Sequence, residues 1–154
     1  MLRNRVLFGA AAALVACLGV ASPQFAVADE IVPMMNNHDE NYGFSFNFWW
    51  QTADTSFYDK EEPTSTYLYV SSLSDNSMRL YVNGATTKSG SGKKNCTNGG
   101  YVNSPRVTGG YEIHNGVYEY GYRFANLGAS SDYGPGSLHG VWSPDCAGNY
   151  TDLN

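Results

Sequence analysis

The dipeptide Asn115-Gly116 lies between two runs of alternating residues, and it constrains the fold more than any other feature. A two-residue type I′ turn requires positive φ at both central positions, which Asn and Gly tolerate best. The sequence therefore predicts a β-hairpin that turns at Asn115-Gly116 and places Ile113 opposite Tyr118. The same register pairs further residues across the two strands: Tyr111 with Tyr120, and Glu112 with Glu119.

Side chains alternate across a strand, so this predicted hairpin has one aromatic face and one charged face. The aromatic face must be covered by another layer of the protein, and we expect Tyr120 and Tyr122 on it to be mostly buried. The aromatic face comprises Tyr111, Ile113, Tyr118, Tyr120, Tyr122 and Phe124. The charged face comprises Glu112, His114, Glu119 and Arg123.

Two glutamates that face each other repel unless a proton or a cation lies between them. Glu112 and Glu119 are therefore a candidate acid pair or hard-cation site, with His114 on the same face. The alternative is that both carboxylates are exposed and that Arg123 relieves their repulsion. A secreted hydrolase that uses Glu112 and Glu119 is accordingly one functional hypothesis.

The sequence contains no other pattern of catalytic or metal-binding residues. His114 and His139 with Asp145 are the residue types of a hydrolase, but no serine lies in a Gly-x-Ser-x-Gly motif. The spacing of the histidines and cysteines matches no zinc site. Apart from the possible cation at Glu112 and Glu119, we therefore expect no metal centre, and we expect no cofactor.

Several other segments alternate as strands do. In 43–50 the pattern predicts that Phe44, Phe46, Phe48 and Trp50 point inward and that Trp49 points outward. Further strands are predicted at 64–72, 78–82 and 137–142. The turn residues at 74–77 favour a hairpin between the first two of these. The predicted inward residues of those two strands are Leu68, Val70, Met78, Leu80 and Val82.

Short strands, frequent glycine and the lack of any helical period in the mature chain define the expected fold class. They predict an all-β domain, either an antiparallel β-sandwich or a partly open barrel. We expect one such domain at 43–154, preceded by a flexible arm at 29–42.

The first 28 residues have the pattern of a secretory signal peptide. A charged start is followed by an apolar helix-forming run at 6–21 and by the cleavage motif Ala26-Val27-Ala28. The sequence therefore predicts secretion to the extracellular space. The alternative is a lipoprotein attached through Cys17, although the apolar run continues beyond that cysteine.

The charge balance restricts the partners that such a secreted chain can have. Loss of Arg3 and Arg5 with the signal would move the net charge from −5 to −7. This charge disfavours nucleic acids and anionic membrane surfaces, and no stable membrane insertion is expected after cleavage. Cleavage would also leave Cys96 and Cys146 as the two remaining cysteines, which predicts one disulfide between them.

Exposed aromatic residues are the other candidate site. Trp49, Tyr67 and Tyr69 point away from the predicted inward faces, and aromatic rings on a sheet surface can stack on sugars or anchor a protein. The alternative is that a second sheet covers these rings as part of the core. The leading hypothesis is a non-enzymatic domain that binds a cell-envelope glycan or protein.

Several short motifs carry a resemblance to a known family. They are Cys96-Thr97-Asn98-Gly99, Ile113-His114-Asn115-Gly116 and the closing run Gly140-Val141-Trp142-Ser143-Pro144-Asp145-Cys146. With the signal peptide and the Phe-rich first strand, the chain resembles a family of small uncharacterised exported proteins of Gram-positive bacteria. Some members are encoded beside bacteriocin-type exporters, and the family offers no catalytic residues to carry over. A second resemblance, to lactococcin-like bacteriocins, implies a secreted toxin or accessory factor as the alternative function.

Overall fold

The computed structural model describes residues 38–154, and these residues contain eleven strands. The predicted signal peptide, its Cys17 and most of the predicted arm lie outside these residues. The described part contains no helix, and hence no helix that could cross a membrane. The strands are β1 (Glu40–Phe46), β2 (Thr52–Asp54), β3 (Tyr58–Asp59), β4 (Thr66–Leu73), β5 (Arg79–Ala85), β6 (Lys94–Asn95), β7 (Val102–Asn103), β8 (Gly109–Ile113), β9 (Phe124–Ser130), β10 (Gly136–Ser143) and β11 (Thr151–Asp152).

The strands form two sheets, which confirms the all-β prediction. The two sheets form a sandwich and not a closed barrel. The first sheet has five strands in the order β1-β10-β4-β8-β11, antiparallel except that β11 runs parallel to β8. The second sheet has the order β2-β9-β5-β6, with β3 also paired to β9 and β7 also paired to β5. Most of these pairings join strands that are distant in sequence.

The core forms where the alternating apolar faces of the two sheets meet. Leu68 and Val70 on β4 are fully buried, as are Leu80 and Val82 on β5, which confirms their predicted orientation. Trp142 on β10 is the largest buried side chain, and Tyr58 meets it edge-on with 5.9 Å between ring centroids. Burial of such side chains contributes roughly 1.5–3 kcal/mol each.

The predicted hairpin at Asn115-Gly116 is wrong. β8 ends at Ile113, and the chain then crosses to the second sheet, where β9 pairs with β2, β3 and β5. Residues 117–121 form a turn between the two sheets. Tyr120 is consequently exposed rather than buried, and Tyr122 is half-buried against the core.

Other contacts explain why Asn and Gly occur at this crossing. The buried side-chain amide of Asn115 donates to Thr66 Oγ1 (3.1 Å) and accepts from the backbone of Val117 (3.2 Å). Gly116 donates its N–H to the carbonyl of Cys96 (2.9 Å), and a Cβ at this position would lie 2.9 Å from the ring of Tyr120. The pair is needed for close packing between sheets and not for a tight hairpin turn.

Two further predictions about the strands are corrected. The strand predicted at 43–50 ends at Phe46, so Phe48 and Trp50 are exposed rather than inward. The hairpin predicted at 74–77 is instead a connection between sheets, because β4 lies in the first sheet and β5 in the second.

The predicted disulfide is not formed, since Cys96 and Cys146 are both free and buried thiols. Cys96 follows β6 in the second sheet, and its Sγ bonds the carbonyl of Lys94 (3.3 Å). Cys146 follows β10 in the first sheet, and its Sγ bonds the carbonyl of Gly148 (3.3 Å). Burial raises the pKa of both thiols, which favours their protonated and unreactive form.

Candidate functional site

Three consecutive aromatic residues protrude where β1 ends, and we call Phe48–Trp50 the aromatic turn. Their exposed fractions are 69% for Phe48, 56% for Trp49 and 74% for Trp50. The two indole rings lie 6.3 Å apart and are inclined at 43°. A contiguous set of large exposed rings is unusual on a soluble domain and is typical of a binding surface.

The backbone of the aromatic turn is held in place by polar residues beside it. Gln51 Oε1 accepts hydrogen bonds from the N–H groups of Asn47 (2.9 Å) and Phe48 (3.0 Å). Ser131 donates its hydroxyl to the carbonyl of Phe48 (2.7 Å) and accepts from the N–H of Gln51 (2.9 Å). These bonds fix the turn to the end of β9, so the rings are presented on a pre-ordered backbone.

Trp50 has a strained backbone conformation, with a φ of 64°. It is the one residue other than glycine with positive φ among residues 38–154. Such a conformation costs on the order of 1–2 kcal/mol for a residue with a Cβ. Strain of this kind at an exposed aromatic residue suggests that function rather than stability maintains it.

A polar pocket of about 320 Å³ is linked to Trp49 through Gly134 and Asn76. Trp49 packs along Gly134, where a Cβ would lie 3.3 Å from the indole and 3.7 Å from the amide nitrogen of Asn76. Asn76 in turn belongs to the lining of this polar pocket. The lining residues are Asn76, Ser77, Asn103, Arg106 and Tyr133.

A cation packs against Tyr133, one of the residues that line the polar pocket. The Arg79 guanidinium lies 5.5 Å from the centroid of the Tyr133 ring and 4.3 Å from that of Tyr101. It also pairs with Asp132 at 2.7 Å. These contacts orient Tyr133, which directly precedes Gly134, the residue along which Trp49 packs. The turn and the pocket together therefore combine flat apolar rings with amide, hydroxyl and guanidinium groups.

The structure separates the three aromatic residues that the sequence grouped as one surface. Trp49 lies beyond the end of β1 at which Phe46 pairs with Gly136. Tyr67 lies at the opposite end of the sheet, where it pairs with Ser143, and Tyr69 lies between them at 41% exposure. Tyr67 packs instead against Tyr150, with 4.6 Å between the ring centroids and 44° between the ring planes. Trp49 thus belongs to a different surface from Tyr67 and Tyr69.

The candidate acid pair is also placed differently from the prediction. Glu112 lies on β8, opposite Tyr67 rather than Glu119, and its Oε2 lies 3.8 Å from the Cys146 Sγ. Glu119 is exposed in the 117–121 turn. His114 follows β8 and contacts Ser65 and Asp152. In residues 38–154 no group of three or more His, Cys, Asp or Glu side chains could hold a metal ion.

A buried ion pair between Lys60 and Asp145 was not foreseen from the sequence. Lys60 Nζ lies 2.8 Å from Asp145 Oδ1, and neither side chain is exposed to solvent. Lys60 also donates to the carbonyls of Thr64 (2.5 Å) and Pro144 (2.7 Å). Burial lowers the pKa of Lys60, and the attraction of the Asp145 carboxylate opposes that shift. Every charge in this pair is hydrogen-bonded, which is the pattern of a structural clamp.

Sequence reasoning identified Trp49 but missed Phe48 and Trp50. The direct succession of Trp49 and Trp50 was a signal that at least one of them is exposed. Adjacent residues of a strand point to opposite faces, so both indole rings cannot be buried in one core. The residues of the polar pocket come from three segments that are distant in sequence: the β4–β5 loop, β7 with the loop after it, and the β9–β10 loop. Their proximity therefore has no local signature.

Comparison with known proteins gives one match. A family described as "Protein of unknown function (DUF2712)" matches residues 26–146. No curated protein and no solved structure matches the chain.

Proposed function

We propose that this chain, which belongs to the DUF2712 family, is a secreted domain that binds a cell-envelope glycan. The observation that carries the proposal is the aromatic turn, with three exposed rings on a fixed and strained backbone. The signal-peptide pattern at 1–28 supports an extracellular site of action.

The surroundings of Trp49 favour a glycan over other partners. A pyranose ring has an apolar face that stacks on an indole, and hydroxyl groups around its edge that need hydrogen-bond partners. The polar pocket, which is linked to Trp49 through Gly134, is lined by Asn76, Asn103 and Arg106. The Asn76 amide nitrogen already donates to the carbonyl of Pro135 and Arg106 Nη1 to that of Asp75, so the other polar groups of these side chains are the ones proposed to meet the hydroxyl groups. A bilayer would need the rings but not this pocket, and the acidic chain is repelled by nucleic acids and anionic lipids.

Replacement of both Trp49 and Trp50 by alanine should weaken binding to insoluble Gram-positive cell-wall glycan by roughly tenfold or more, because truncated aromatic anchors typically cost above 1 kcal/mol. The measurement is a depletion isotherm with purified protein and cell-wall material stripped of protein and lipid. Tyr120→Ala is the matched control, since Tyr120 is equally exposed but lies on the 117–121 turn.

Two outcomes would contradict the proposal. One is equal retention of the wild type and the double variant by the glycan. The other is retention by neutral phosphatidylcholine vesicles with none by the glycan, which would assign the aromatic turn to a lipid surface.

Replacement of Trp50 by glycine separates stability from function. Glycine adopts a φ of 64° without strain, so the free energy of unfolding should rise by about 1 kcal/mol while glycan binding falls. Urea unfolding followed by fluorescence of the remaining tryptophans would measure the change in stability. A loss of stability on this substitution would show that the Trp50 ring is a packing element rather than a strained binding residue.

A further inference from the structure

We propose that Ser65, His114 and Asp152 form a second, hydrolytic site that acts on carboxylic esters. Ser65 Oγ lies 2.9 Å from His114 Nδ1. His114 Nε2 lies 3.2 Å from Asp152 Oδ2. A hydroxyl, an imidazole and a carboxylate in this order are the groups of a nucleophile, a general base and an orienting acid.

The sheet topology brings these three residues together. β8 lies between β4 and β11 in the first sheet, and Thr66 on β4 is paired with Ile113 on β8. One residue further along this register, Ser65 comes opposite His114. On the other side of β8, the parallel strand β11 pairs Asp152 with Glu112. Glu112 and His114 lie on the same face of β8, so the three side chains meet on the outer face of the sheet.

The hydrogen bonds assign the proton on the imidazole. Asp152 can only accept when ionised, so His114 Nε2 carries the hydrogen and donates it. In the neutral imidazole, His114 Nδ1 is then the nitrogen without a hydrogen, and it accepts a hydrogen bond from the Ser65 hydroxyl. This tautomer is the one that a general base requires.

The backbone on both sides of the relay is held by further bonds. The N–H of His114 donates to Asn154 Oδ1 (2.6 Å), and its carbonyl accepts from the N–H of Asn98 (3.0 Å). Lys60 Nζ donates to the carbonyl of Thr64 at 2.5 Å and lies 3.4 Å from that of Ser65. The buried Lys60–Asp145 pair therefore also positions the loop that carries Ser65.

A cleft lies along the same face of the sheet as Ser65, although Ser65 is not among the residues that line it. Its nearest lining residue in sequence is Tyr67, two residues further along this face and about 7 Å away, and Tyr67 packs against Tyr150. Both tyrosines line this cleft of about 220 Å³ together with Asp39 and Asp145. Because the Asp145 carboxylate is buried and paired with Lys60, the cleft presents mainly its aromatic rings, which fit a small uncharged acyl ester.

The reaction is a two-step acyl transfer to water. Ser65 Oγ attacks the ester carbonyl carbon while its proton passes to His114 Nδ1, and the bond to the alcohol oxygen breaks as that proton moves to the leaving oxygen. Water then attacks the acyl-serine, again losing a proton to His114, and the carboxylic acid leaves as Ser65 regains its proton. The net reaction consumes one ester and one water and yields one acid and one alcohol.

The test uses the purified chain and 4-nitrophenyl acetate. We expect release of 4-nitrophenol above the buffer rate and an acetyl group on Ser65 in peptide mass spectrometry of acid-quenched protein. Ser65→Ala and His114→Asn should each lower the rate by roughly 10²- to 10⁴-fold. Asp152→Asn should lower kcat while leaving KM unchanged, because it disturbs the tautomer and not the pocket.

The matched control is Ser71→Ala. Ser71 is an exposed serine on the outer face of β4, the strand that Ser65 precedes, and its hydroxyl donates to the carbonyl of His139. This variant should react as the wild type does, and urea unfolding should show that all variants are folded. Acetylation of residues other than Ser65, or equal rates for the wild type and Ser65→Ala, would overturn the proposal. Either result leaves the glycan-binding proposal intact, because the aromatic turn lies at the other end of the sheet.

Discussion

Replacement of Asp145 by alanine should lower the free energy of unfolding by about 3–5 kcal/mol, because it leaves the buried ammonium of Lys60 without a counter-charge. The same change also removes acceptors for the backbone N–H groups of Glu61 (3.0 Å) and Glu62 (3.3 Å) and for the Thr64 hydroxyl (3.2 Å). Equilibrium unfolding in urea, monitored by tryptophan fluorescence, would measure the loss.

Two comparisons isolate the effect of burial. Asp54 pairs with Lys93 at 2.5 Å, but both side chains are about two-fifths exposed (41% and 42%), so Asp54→Ala should cost no more than about 1 kcal/mol. The double variant Lys60→Met with Asp145→Leu should recover most of the loss, since apolar pairs often replace buried ion pairs without penalty. Equal losses for Asp145→Ala and Asp54→Ala would contradict the assignment of Lys60–Asp145 as a buried clamp.

This clamp also shows where prediction from the sequence stopped. Lys60 lies in a run of charged residues, and charged residues in a polar segment are typical of an exposed loop. Its partner lies more than eighty positions away, beyond β10. The local sequence does not distinguish a buried lysine from a solvated one, so the buried pair becomes evident only from the tertiary fold.

Local periodicity predicted more of the fold. Alternation placed Phe44, Phe46, Leu68, Val70 and Leu80 inward correctly, because one face of each strand must be apolar wherever a second sheet covers it. Local periodicity could not predict which strands pair, because the paired strands are far apart in sequence. For example, β10 lies between β1 and β4, and β9 pairs with β5. Such non-local pairings depend on which faces fit, which a local pattern does not encode.

The error at Asn115-Gly116 has the same origin. The dipeptide is compatible with a type I′ turn, but Gly116 does not have positive φ, and the amide of Asn115 reaches Thr66 on β4. Likewise, the relay of Ser65, His114 and Asp152 comes from three strands or their ends. His114 was a candidate from the sequence, but its two partners became visible only with the order of the strands.

Replacement of Gly140 by alanine should destabilise the fold by about 3 kcal/mol or more, at the upper end of overpacking effects. A Cβ at this position would lie 1.8 Å from the carbonyl oxygen of Tyr69, closer than any non-bonded contact allows. The register between β10 and β4 shifts at His139/Gly140, and this irregularity brings the backbone of Tyr69 against Gly140. Tyr42 donates its hydroxyl to the same carbonyl (3.2 Å), so relief by backbone movement would also break this bond.

Gly110→Ala is the matched control, because Gly110 lies in the same sheet and pairs with Tyr69 from the other side. Its Cβ would lie 3.0 Å from the ring of Tyr150 and 3.5 Å from that of Tyr67, and an exposed ring edge can rotate away where a backbone oxygen cannot. We therefore expect a loss below about 1 kcal/mol for Gly110→Ala. A smaller loss of unfolding free energy for Gly140→Ala than for Gly110→Ala would contradict this prediction. It would show that the backbones of Gly140 and Tyr69 do not approach each other closely at the register shift between β10 and β4.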